Sequence, residues 1–537
     1  GTYSNITMKT ALSIHDRLSR VHFFDHVVDL SKTPLSNIEI LALGCCIKAA
    51  ERMTELYVSQ TGKKSSDLFF KYMNEQRNPE GRAIFRYLQV HGSPWDSFDH
   101  DEPFVPGIGR RPAKGPFYPT GLTQDEWDAW LQAHPDDKEA FESPYTVIER
   151  GRDGLVAVPY HNHYSPLLTE AANFLEVGAT YLQEGPLKTY LELRAQTFKG
   201  TASYFDSDSA WVDTRGEPFE ITLGPCETYI DDQFLGLKSA FEAYIGIPNR
   251  EATEMLQQFN QPAAEFDRLL AQEYPFEPRP AGPMIVLDDV YRGGEARFGR
   301  MFVAANLPND RKIHNLKGSK KIFSRTMLSA KFGNVGVPIA QRILHPADQA
   351  YCTVENRLAS NVGHELSHGM GPTGIMRDGE LIRFGVILKD LHSMIEEAKA
   401  DMLGIRFLHH CCTSGILGMD TVKGAIATEL ICTIMGLRKS FTEAHARGNL
   451  VQYNWLKNTG AWRYNESTGC YTINYDVALN GMIMLSDAFL RLQLGGSYDA
   501  AREFVETWGS IPPELVQIVK SLSDIPLEVH PRFDIAG

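Results

Sequence analysis

Two histidines one helical turn apart, with a glutamate beside the first, constrain this chain more than any other feature. They lie in Val362-Gly363-His364-Glu365-Leu366-Ser367-His368-Gly369. At about 100° per residue, His364 and His368 stack about 40° apart on one face of an α-helix. Leu358, Val362, Leu366 and Met370 recur every four residues on a stripe centred about 160° away. The segment is therefore predicted to be an amphipathic helix, apolar toward a core and imidazole-bearing toward a cleft. Two imidazoles at this spacing can take one zinc ion, and Glu365 is placed to handle a proton of an attacking water.

Zinc in a catalytic site needs a third protein ligand and one open position. The candidate segment is Met394-Ile395-Glu396-Glu397-Ala398-Lys399-Ala400-Asp401. Leu391, Ile395, Ala398 and Met402 form its predicted buried stripe, and Glu397 and Asp401 lie about 40° apart on a neighbouring face. Glu397 is expected to bind the metal, and Asp401 to accept the remaining N–H of a ligand histidine. Glu396 points about 100° away, so the adjacent glutamates cannot both be ligands on a regular helix. Taken alone, the pattern E-E-x-K also describes an ordinary exposed helix face.

Charge and composition narrow the rest. The 53 basic and 67 acidic residues give a net charge of −14, which disfavours nucleic acid, since phosphate binding needs clustered cations. The one short basic cluster, Lys317 to Arg325, reads as a solvated loop between strand and helix. The longest clean apolar stretch, Ile40 to Ile47, is less than half of the ~18 residues a membrane helix needs, so no membrane partner is expected. The N-terminal residues carry no basic-then-apolar leader pattern. The eight cysteines form no C-x-x-C; they fit a reducing compartment, and a cytoplasmic location is expected. Sequons at Asn5 and Asn465 weigh weakly against it.

With 537 residues the chain exceeds one ordinary core, and two large lobes are expected. Residues 35–59 read as a helix with Ile38, Leu41, Cys45, Ala49 and Met53 on one stripe. Residues 93–122, interrupted by six prolines, read as a long ordered loop. Helical patterns cover 165–200, 234–247 and 250–273. Phe219 to Leu223 alternates as a strand ending at Gly224-Pro225. Pro275, Pro278, Pro280 and Pro283 mark the best internal boundary. Strands are predicted at Met284 to Leu287 and Arg300 to Ala304, and mostly helix from about 329 to 494.

These residues carry a resemblance to the dipeptidyl peptidase III family of zinc exopeptidases (M49). That family pairs an H-E-x-x-H or longer motif with a downstream E-E-x-x-x-[AED] motif, here His364 to His368 and Glu396 to Asp401. The five-residue form is similar to the shorter microbial branch, whose plant relatives include fusions to a Nudix domain. Gly224-Pro225-Cys226-Glu227-Thr228-Tyr229-Ile230-Asp231 resembles the family's G-P-x-E-x-Y-x-D segment, Asn306-Leu307-Pro308-Asn309 its N-x-P-N turn, and Ala444-His445 its Ala-His segment.

The resemblance implies one Zn²⁺ per chain, with His364, His368 and Glu397 as ligands and Glu365 as general base. Glu396 and Asp401 would stand behind the ligands. Tyr229 and His445 would support the transition state, Glu227 would bind the free amine, and Asn306 and Asn309 the substrate backbone. Asn449 and Cys226 depart from the family pattern on the substrate side. The implied fold is α+β, two lobes around a wide cleft. A mixed lobe with a β-barrel-like core takes 1–248 and 275–330, and a mostly helical zinc lobe takes 249–274 and 331–510. A tail, 511–537, returns to the first lobe. The expected activity is release of N-terminal dipeptides from short peptides by a monomer or homodimer. The alternative is a zinc-dependent hydrolase, lyase or isomerase acting on a non-peptide small metabolite.

Overall fold

Period-two alternation in two central strands serves the two largest hydrophobic cores among the described residues; a third, smaller one gathers Phe69, Phe85, Tyr87 and Trp95. A computed structural model describes residues 11–536; the leader reading and the sequon at Asn5 lie outside the described residues. The elements that build the first lobe are β1 (Val21–Asp29), α1 (Asn37–Gln60), α2 (Ser165–Thr180), α3 (Pro186–Lys199), β2 (Glu220–Glu227) and β3 (Ala240–Pro248). Next come α4 (Asn260–Glu273), β4 (Met284–Gly294), β5 (Ala304–Leu307), α5 (Arg311–Lys317) and β6 (Lys320–Ser324). Five strands form one mixed sheet in the order β2-β3-β4-β6-β5, with β6 parallel to β4 and antiparallel to β5.

Along β4, Ile285 and Leu287 belong to the core that includes α1, α2 and α3, while Met284 and Val286 join the core of the helical lobe. Ile322 and Phe323 of β6 divide in the same way. The sheet is thus the shared wall between the lobes. In the β5–β6 register Asn306 lies opposite Lys321, so both side chains share the face of Phe323, toward the helical lobe.

The helical lobe contains α6 (Val354–His368), the hairpin β7 (Gly374–Arg377) and β8 (Glu380–Arg383), α7 (His392–Thr413), α8 (Met419–Lys439), α9 (Ala444–Thr459) and α10 (Tyr475–Leu494). Helix α4 contributes Ala263, Phe266 and Leu270 to the same core. Helix α10 meets the length and composition of a bilayer span; half of its most apolar window is buried, and it packs against α7. In the tail, Leu515, Ile518, Leu522 and Ile525 stay in the helical core, and β9 (Glu528–Ala536), whose Val529 still belongs to that core, pairs in parallel with β1.

Several local expectations need correction. Residues 240–248 form a strand, not the end of a helix: β3 is buried on both faces, so its mostly apolar run, broken by the buried Glu242, carries no period to separate the two states. Strand β2 runs through Gly224-Pro225 to Glu227 with an irregular register, and the strand expected at 300–304 begins at Ala304. The basic segment 317–325 is not a solvated loop. Its centre is β6, with Lys320 fully buried against Glu220 at 2.5 Å. In α1 the buried stripe is Ala42, Leu43, Cys46, Ala49, Ala50 and Met53, while Ile38 and Leu41 are exposed.

Candidate metal centre and active site

The site begins where two glycines let two helices touch. A Cβ on Gly363 would meet Gly404 O at 2.8 Å, and one on Gly404 would meet the Gly363 carbonyl carbon and His364 N, each at 2.8 Å. No larger residue permits this approach of α6 and α7. His364 follows Gly363 directly, while Glu397 and Asp401 lie two turns and one turn before Gly404 on α7. The crossing therefore sets imidazoles against carboxylates.

His364, His368 and Glu397 each offer one ligand atom, all within 4.8 Å of one another. Glu397 carboxylate oxygens lie 3.1 Å from His364 Nε2 and 3.5 Å from His368 Nε2. Behind them, His364 Nδ1 donates to Asp401 Oδ1 at 2.7 Å and His368 Nδ1 to Glu396 Oε1 at 3.1 Å. With both Nδ1 atoms donating, each imidazole, once it gives up its second proton, turns an Nε2 lone pair inward. Those two nitrogens face each other at 3.1 Å. Two lone pairs cannot bond to each other, but both can bind a cation. Nitrogens about 2.0–2.1 Å from a tetrahedral Zn²⁺ sit ~3.3 Å apart, so the donor set fits that ion.

The carboxylates favour positive charge here. Burial opposes protonation of His368, but hydrogen bonds to Glu396 and Glu397 prevail and raise it to about 9. His364 is raised well above its usual value by Asp401 and Glu397, again against burial. Burial works against ionisation of Glu396, yet Lys399 and His368 hold it down at about 2.

Sequence reasoning missed the groups that fix these acids. Gln452 Nε2 donates to Asp401 at 2.9 Å, Gln493 Nε2 to Glu396 at 2.8 Å, and Lys399 Nζ lies 2.9 Å from Glu396. Lys399 is buried, so E-E-x-K is no solvated face. Glu429 on α8 is pushed up to about 8, first by burial and then by Asp401. Its one sequence signal was an acid in an apolar helical run.

Glu365 lies on α6, which touches β5 of the sheet, and its charge reaches Lys321 on the neighbouring strand. Burial lowers Lys321 to about 8, and Glu365 works against that shift. Beside Lys321, Asn306 Oδ1 is buried without a partner among the described residues. Asn309 Nδ2 donates to Cys226 O at 2.9 Å and to Glu227 Oε2 at 3.0 Å. Glu227 belongs to a group of acids that includes Glu242 and Glu295. Burial, then Glu227, lifts Glu242 to about 8, and burial with both neighbours lifts Glu295 well above the carboxylate range. Neither residue was singled out from the sequence.

Tyr229 is 69% exposed in a 3₁₀ turn after β2. Its crowded setting, and then Glu227, Glu295, Glu242 and Glu397, keep the phenol protonated. His445 is exposed in the first turn of α9 and stands outside the His364, His368 and Glu397 group. Asn449 packs against Gly436 of α8.

Comparisons with known proteins give this geometry a family. A profile of peptidase family M49 matches residues 139–373. The structure of DPP III from Caldithrix abyssi superposes with a TM-score of 0.90 at 30% identity, covering 97% of this chain and 98% of that one. The chain belongs to the dipeptidyl peptidase III family. Dipeptidyl-peptidase III from Corallococcus sp. strain EGB gives a TM-score of 0.86 at 30% identity, covering 97% and 96% of the two chains. Nudix hydrolase 3 of Arabidopsis thaliana is 26% identical over 586 residues, spanning 99% of this chain and 75% of that protein. This M49 chain is a zinc metallopeptidase of the dipeptidyl peptidase III type, with the family's α+β, two-lobed fold.

Proposed function

We propose that the chain is a dipeptidyl aminopeptidase that releases N-terminal dipeptides from short peptides, with one zinc ion held by His364, His368 and Glu397. The opposed Nε2 pair, fixed by Asp401 and Glu396, is the observation that carries this reading. Zinc, when bound, polarises a carbonyl and makes water a better nucleophile near neutral pH.

The chain's own residues supply the rest. Glu365 takes the proton of the attacking water and passes it to the leaving amine. Tyr229, kept protonated, donates to the developing oxyanion, and His445 supports it from α9. Glu227 binds the substrate's free ammonium, beside Glu242 and Glu295, whose raised pKa values leave them largely protonated near neutral pH. Asn309 holds Glu227 in place, and the unpartnered Asn306 Oδ1 accepts a substrate backbone N–H. The eight cysteines are free, which supports a reducing compartment such as the cytoplasm.

A panel of dipeptidyl-arylamides tests this reading. Cleavage should require a free N-terminal amine, release two residues at a time, stop with a chelator and return with Zn²⁺. Turnover that survives amine acetylation, or release of single residues, would contradict it. Glu365→Gln should cost at least about 10²-fold in kcat with zinc still bound; unchanged turnover would remove Glu365 from the reaction.

A further inference from the structure

Beside the metal group lies a cavity of about 470 Å³ that the mechanism above does not use. Three guanidiniums line it: Arg279 from the proline-rich segment before β4, Arg311 at the start of α5, and Arg383 at the end of β8. The facing wall holds His368 and Glu396. Glu396 is already committed to His368, Gln493 and Lys399. Arg279 donates to Gly369 O at 3.2 Å and feels Asp267 and Glu396. Among the described residues Arg383 has no such relief. Burial, and then two further cations, Arg311 and Arg279, hold its guanidinium below the usual arginine range.

Three like charges gathered in a hollow repel one another, an arrangement that an anionic guest relieves. Planar guanidiniums match a carboxylate in two-point hydrogen bonding. The lining also has apolar surface in Phe384 and in Val386, which is 70% exposed. The buried Nδ1 of His392, without a partner among the described residues, belongs to another lining residue. A short apolar stem ending in a carboxylate suits this wall.

Position decides which carboxylate. Arg311 follows two residues after Asn309, which holds Glu227 at 3.0 Å. His368 on the other wall belongs to the metal group. The cavity thus reaches from Arg311, close in the chain to the proposed amine anchor's partner Asn309, to His368 of the proposed zinc group. A peptide anchored by its amine at Glu227 and cleaved at the metal would pass beside this cavity, within reach of a side chain of its first two residues.

We propose that this cavity is a specificity pocket for an acidic side chain, Asp or Glu, in the N-terminal dipeptide of the substrate. This rests on the dipeptidyl reading above. The test compares zinc-loaded full-length protein on Glu-Ala, Gln-Ala, Ala-Glu and Ala-Gln arylamides. Glu should exceed its isostere Gln in kcat/KM by at least 10-fold at one of the two positions. That ratio should fall toward unity in Arg383→Met and in Arg311→Gln, whose site at a helix start carries less folding risk. Arg311→Glu should turn the preference toward Lys. Equal use of Glu and Gln by the unaltered protein would overturn the pocket, as would a ratio unmoved in folded Arg variants. A 10-fold loss on amidating the C-terminus of a hexapeptide, without a Glu preference, would assign the arginines to a chain terminus and also overturn it.

Calorimetry on zinc-loaded Glu365→Gln with free Ala-Glu, Glu-Ala and their Gln counterparts separates the two levels. Tighter binding of a Glu dipeptide, with no arylamide turnover by the unaltered protein, would keep the pocket and reject the peptidase reading. Equal binding with normal turnover would reject the pocket alone.

Discussion

Asp401 shows how a residue outside the ligand set shapes the centre. It accepts from His364 Nδ1 and is itself held by Gln452. Asp401→Ala should therefore weaken zinc binding by about 10–100-fold while the fold persists; competition with a zinc chelator measures it, and unchanged affinity would refute the role. Glu242 gives a pH prediction. Its folded pKa, about 8, exceeds the ordinary 4.5, so between those values the folded chain binds one more proton than the unfolded chain. Its contribution to stability is full below about 4.5 and is lost as pH rises to about 8. Glu242→Gln should flatten that fall in urea melts at pH 5 and pH 8; an unchanged fall would contradict it. At this scale the sequence was legible where helical geometry fixes spacing. His364 with His368, and Glu397 with Asp401, stand one turn apart on their helices. Gln452, Gln493 and Lys321 were not legible, because single polar residues carry no period and only tertiary packing brings them to the site.

The crossing of α6 and α7 is the element on which the site depends. Gly363 and Gly404 meet backbone to backbone, so relief by a flexible side chain is not available. Gly404→Ala should cost about 1–3 kcal/mol or more and move His364 away from Glu397. Melting and zinc titration should fall together; an alanine variant with unchanged Tm and zinc affinity would show that the helices do not need this contact. Neither glycine stood out in the sequence, since glycine within a helix signals a close approach without naming its partner. The helices themselves were legible from their apolar stripes. Strands β3 and β6 were not, the first because both faces are buried and the second because its lysines are sequestered by the opposite lobe and by Glu220.

At the scale of the whole molecule, the described ends of the chain are joined by β1 and β9. Glu528 opens β9 fully buried, 3.2 Å from both Lys331 and Lys439. Glu528→Gln would leave two buried ammonium groups without their shared counter-charge and should cost about 3–5 kcal/mol. A denaturant melt with an unchanged midpoint would contradict it. This joint was not readable from the sequence, because no local pattern pairs residues 21–29 with 528–536. The two-lobe plan came through the family resemblance and the proline-rich break, and the open five-stranded order appears only in the structure. The central claim is that these scales converge on one metal ion. Anomalous diffraction at the zinc edge from crystals of the full chain tests it most directly. It should give one peak per chain about 2.0–2.1 Å from His364 Nε2, His368 Nε2 and a Glu397 oxygen. A zinc-loaded crystal with no peak between them, or with Glu397 turned away from the ion, would contradict the account.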